Sequence, residues 1–129
     1  MATKKLEQFH QENATWLRTL DFMEQENAFM KQRLGKLLEG VSDAATIEWA
    51  ETCQTQMLMK DEAIDLLKQD IHAQEKRLAS QYLFEDNQLK TDLLSFQQQL
   101  QAQMEYVEND FFLMKKNFNQ YLSAKALAL

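Results

Sequence analysis

The chain has 129 residues, of which 45% are apolar and 10% aromatic, with no proline, two glycines and one cysteine. That length suits one domain, and the apolar content supplies a core without disulfide or metal staples, which excludes a disordered chain and a disulfide scaffold. A net charge of −6, with basic residues adjacent only at Lys4-Lys5, Lys76-Arg77 and Lys115-Lys116, excludes a phosphate-tracking nucleic-acid face.

Within a single domain over 1–129, Leu6, Phe9, Trp16, Leu20, Met23, Met30, Leu34, Leu37 and Val41 recur at three- and four-residue steps. Such steps mark a helix with a packing seam, and proline, which breaks helices, is absent. A first helix is therefore predicted over about 3–40, roughly 57 Å long. Thr3 can cap its first amides, and Gly40 is the residue type that most easily takes the left-handed turn after a helix. Gly35, inside the run, reads as a tolerated glycine costing ~1 kcal/mol against alanine, or as a point of close packing.

Ser42 and Asp43 then offer capping oxygens for a second helix over about 43–85, whose seam runs Ala50, Cys53, Met57, Lys60, Ile64, Leu67, Ile71, Gln74 and Leu78. Residues 43–86 carry ten acidic and four basic side chains, so the negative excess sits here. Glu48, Glu51, Asp61, Glu62, Asp65 and Asp70 read as a solvated helix face. The next turn is expected at Glu85-Asp86-Asn87-Gln88, where no glycine or proline stands. A helix unbroken to residue 127 would exceed ~120 Å and leave most of its seam unburied in a monomer.

The third helix, over about 87–127, follows Leu89, Leu93, Phe96, Leu100, Val107, Met114 and Tyr121, widened by Met104, Phe111 and Phe118. Its glutamine-rich stretch, 97–103, reads as exposed helix surface. Three long helices with short connections imply an elongated up-down-up bundle, all-α, with the first and third parallel. This general pattern of long heptad helices resembles spectrin-like three-helix coils, a likeness of architecture that implies no activity.

In such a bundle the numbers of facing residues total about 83 across the first turn and about 172 across the second. Asn27 then falls beside Gln56 and Asn117, with Lys60 and Asp110 about one turn away, which predicts a polar layer that fixes register. A ligand pocket is the other reading of that layer. The same arithmetic sets Phe22 level with Phe111 and Phe29 with Phe118. Together with Phe112 these form an expected contact patch, and Leu58, Met59, Leu66 and Leu113 add apolar surface off the seams. Patches of this kind mark interfaces, so the expected partner is protein, a second copy or another helix.

Catalytic patterns are absent: no Ser/His/Asp grouping, glycine-rich phosphate loop or cysteine pair stands in the chain. Glu7-x-x-His10 and His72-x-x-Glu75 match half of a carboxylate-bridged di-metal site, but they lie beside the seams, and glutamines occupy the third helix at that level. No metal, cofactor or catalytic residue is assigned. Cys53 is read as a small core residue, and Trp16 and Trp49 as anchors at the core edge. No apolar run approaches the ~20 residues of a membrane span. The start lacks a secretory signal and the lone cysteine fits a reducing compartment. The expectation is a non-enzymatic, cytoplasmic protein-interaction or assembly module, a homo-oligomer. A di-metal carboxylate and histidine bundle protein or a small-ligand sensor is the alternative.

Overall fold

The computed structural model describes residues 2–80 and 87–128, with side chains over 5–80 and 90–125. Three helices, α1 (Ala2–Glu39), α2 (Ala44–Ser80) and α3 (Asn87–Ala128), form the expected bundle, and no strand occurs among the described residues. Helix α1 already includes Thr3 as its second residue, so Thr3 does not stand before the helix as its cap, while the end of α2 near 85 and the turn at Glu85 and Asp86 lie outside the described residues. Asn87 and Gln88, expected in that turn, already belong to α3.

The first turn works differently from the expectation. No glycine has a positive φ, so Gly40 does not supply a left-handed turn. Instead the Gly40 amide donates to the Leu37 carbonyl at 3.3 Å, tightening the last turn of α1. Asp43 then caps α2, its carboxylate accepting from the Thr46 amide at 2.9 Å and the Thr46 hydroxyl at 2.7 Å. Gly35 is exposed, with open space where a Cβ would stand, so close packing is not its reason for being there.

Because each apolar seam recurs at coiled-coil spacing, all three helices turn one stripe inward. Leu20, Met23, Met30 and Leu34 of α1 meet Met57, Ile64, Leu67 and Ile71 of α2 and Leu100, Met104, Phe111 and Phe118 of α3. On α3 the residues expected only to widen the seam are its centre, whereas Phe96, Val107 and Tyr121 are half-buried at its edge. Trp16 and Trp49 pack on the core from its margin.

Antiparallel pairing follows the expected registers to within about two residues. Asn27 meets Met57 and His10 meets Glu75 between α1 and α2. Lys60 meets Asp110, and Gln74 meets Gln97, between α2 and α3. The parallel helices α1 and α3 approach each other less closely than either approaches α2. Longer side chains close that gap: Lys115 pairs with Glu26 at 2.8 Å, and Arg33 donates to Asn119 at 3.0 Å.

A buried amide layer crosses all three helices. Gln97 Nε2 donates to Asn13 Oδ1 at 2.9 Å, while Gln74 Nε2 donates to the Leu93 carbonyl at 3.0 Å and to Gln97 Oε1 at 3.2 Å. Gln97 therefore corrects the reading of 97–103 as an exposed face, since it stands on the seam between Leu93 and Leu100.

Candidate interaction surface

The expected polar layer divides between core and surface. Asn27 is buried and donates from Nδ2 to the Met57 carbonyl at 2.8 Å and to Asp61 Oδ1 at 2.7 Å, and Asp61 also pairs with Lys31. Lys60 and Asp110, expected about one turn from that layer, form an ion pair. Gln56 and Asn117, however, are exposed and do not join Asn27. Gln56 precedes the seam residue Met57 by one position, a rotation of about 100° that carries it out of the interior. The layer with three amides inside the core is instead Asn13, Gln74 and Gln97, set apart from the apolar neighbours only by polarity at seam spacing.

The phenylalanine patch divides in the same way. Phe111 and Phe118 are 0% and 3% exposed and belong to the core, so they are not contact residues. Phe22, Phe29 and Phe112 remain 49%, 58% and 39% exposed. Phe22 lies one turn before Glu26, and Phe112 one turn before its partner Lys115, so both stand at one height beside the α1/α3 groove. Phe29 follows one heptad after Phe22, and the Phe112 ring meets Phe111 edge-on at 5.6 Å. This surface is a ridge of aromatic rings beside a shallow seam.

A second apolar surface follows the α2/α3 groove. Leu66 and Tyr106 flank it, with Ala63 and Ala102 beside them. Seven residues back along α2 stands Met59 and seven on along α3 stands Leu113, so antiparallel packing repeats the pair one heptad, about 10 Å, away. All four side chains are more than half exposed. Tyr106 escaped the sequence reading, although its heptad spacing to Leu113 was available to reveal it. At the far end of the groove Trp49 stacks on Tyr121, centroids 3.7 Å apart, and on Phe118 at 5.8 Å. There Gln56, Lys60, Asp110 and Asn117 share one cleft with Trp49 and Phe118.

Charge differs between these surfaces. Glu48, Glu51, Glu62 and Asp70, all exposed on α2, have no ion-pair partner among the described residues. Around the phenylalanine ridge, Lys36 and Lys116 lack acidic partners among the described residues, Arg18 donates to Thr15, and Arg33 turns to Asn119 and the Phe118 ring. Glu105 and Glu108 are the acids on that side of α3, which leaves the ridge with more cations than the groove.

His10 Nδ1 contacts Glu75 Oε2 at 2.6 Å, as the level arithmetic expects, but the ring is largely in solvent. Among the described residues no three His, Cys, Asp or Glu side chains converge as metal ligands. Cys53 is a free, buried cysteine on the core seam, and burial pushes its thiol above the ordinary range. No described helix is long and apolar enough to cross a membrane. No family model, curated protein or solved structure matches the chain.

Proposed function

We infer that this chain is a non-enzymatic assembly module that docks helices on its exposed apolar faces, beginning with copies of itself, in a reducing cytoplasm that suits its free thiol. The supporting observation is the heptad recurrence of exposed large side chains: Phe22 and Phe29 on one face, Met59 with Leu113 and Leu66 with Tyr106 on another. Single exposed apolar residues are ordinary on a monomer surface, but repeated rungs along a groove match the way an amphipathic helix is received. Sedimentation velocity across the micromolar range tests the reading. Self-association that falls when Phe22, Phe29, Leu66 and Tyr106 are together replaced by serine supports it. A strict monomer at every concentration rejects it.

A second reading, a small-ligand sensor, is favoured by one observation: the exposed amides of Gln56 and Asn117 and the Lys60–Asp110 pair share a cleft of about 340 Å³ with Trp49 and Phe118. Its size and mixed lining suit a small amphipathic ring compound. Saturable change in Trp49 fluorescence with such a ligand, lost in Gln56→Ala, supports this reading; no response across a panel of aromatic metabolites removes it.

A further inference from the structure

Resting on the assembly reading above, we propose that the molecule associates head to tail: the α1 ridge of one copy, led by Phe22 and Phe29, seats in the α2/α3 groove of the next. Spacing and charge both point to this pairing. The two ring knobs are seven residues apart on α1, and the rungs Met59/Leu113 and Leu66/Tyr106 are seven residues apart on both groove helices. Knobs and holes therefore advance by the same step, about 10 Å along the helix axis. Small side chains at Ala63 and Ala102 leave room in the groove beside the second rung, over Leu67 and Val107.

Charge selects between symmetric and crossed pairing. Two grooves placed face to face would oppose Glu62 and Asp70 to their own copies, and two ridges would oppose Arg33 and Lys36 in the same way. Ridge on groove, with α1 parallel to the α2 it meets so that Phe22 seats at the Met59 rung and Phe29 at the Leu66 rung, instead sets Arg33 level with Asp70 and Lys36 within a turn of it. An interface that uses different faces on its two sides does not close at a dimer; it continues into a ring or an open chain.

The test uses the full chain in sedimentation velocity, with one variant per face. Wild type is expected to grow beyond dimer with concentration and to weaken in high salt. The ridge variant Phe22→Ser/Phe29→Ser and the groove variant Leu66→Ser/Tyr106→Ser should each run as a monomer of the 15.2 kDa chain. Mixed one to one, they should form a dimer and stop there, because each retains the face the other lacks. All four residues are exposed, so circular dichroism should show unchanged helix content. If a serine pair loses helix, the charge reversals Arg33→Glu/Lys36→Glu and Asp70→Lys replace it, each alone weakening association at least tenfold and the mixture restoring it. A wild type that stops at dimer, or a mixture that stays monomeric while wild type associates, overturns head-to-tail pairing and leaves the assembly reading standing. A wild type that never associates overturns both.

Discussion

Gln97 reaches Asn13 inside the core at 2.9 Å, joining the two parallel helices across 84 residues of chain. Gln97 also accepts from Gln74, so its amide is the centre of the buried layer, while Asn13 Nδ2 and Gln74 Oε1 have no partner among the described residues. Gln97→Leu would leave the Asn13 carbonyl and one Gln74 donor contact unmet and should cost about 1–3 kcal/mol. Replacing Asn13, Gln74 and Gln97 together by leucine should recover most of that loss and weaken register. Urea unfolding measures the first effect, and broadened amide resonances at kept helix content report the second. A single variant as stable as wild type refutes the account.

Gly35 is helical, exposed and surrounded by open space. Gly35→Ala should therefore raise stability by about 1 kcal/mol, since alanine loses less backbone freedom on folding and meets no obstacle. The melting midpoint should rise by on the order of 4 °C. A fall in midpoint would show that the glycine is required for packing.

Hydrogen bonds from the Thr46 side chain and amide hold the Asp43 carboxyl below its ordinary value of 3.8. A carboxylate with a depressed folded value stabilises fully above its unfolded value, and that stabilisation is lost as pH falls through the folded one. Asp43→Ala should melt below wild type at pH 7, and the gap should close on acidification beneath the carboxylate range. Thermal melts at neutral pH and at about pH 2 decide the matter; a gap of constant size contradicts the capping role.

Burial raises the Cys53 thiol, and only the thiolate attacks. Reaction with a thiol reagent at pH 8 should run at least ten times slower than with free cysteine and accelerate through the urea unfolding transition. Rapid labelling of the native chain would place Cys53 in solvent rather than on the seam.

Much of this architecture was legible in spacing alone: three seams, the antiparallel course of α2 against both neighbours and the approximate level of the cross-helix contacts. The azimuth on each helix was not. Successive positions differ by about 100° around the axis, so reading the α3 seam through Phe96 rather than Gln97 assigned Phe111 and Phe118 to its margin. Residue type also misled where it opposed position. Glutamine among glutamines reads as solvent-facing, yet Gln97 stands between Leu93 and Leu100, and its burial depends on Asn13 and Gln74, remote in sequence. Gly40 was read by composition, whereas its turn closes through a backbone bond that any residue can make.

The central position of α2 also sets an order of assembly. Each of its neighbours can close upon it like a zipper from an adjacent chain reversal, with little loop entropy lost per step, whereas α1 and α3 must find each other across most of the polypeptide. The side-chain bridges at Asn13, Glu26 and Arg33 should then be the last to form during refolding. They should also part first in transient opening, which would uncover the α3-facing flank of α1 beside the already exposed Phe22 and Phe29.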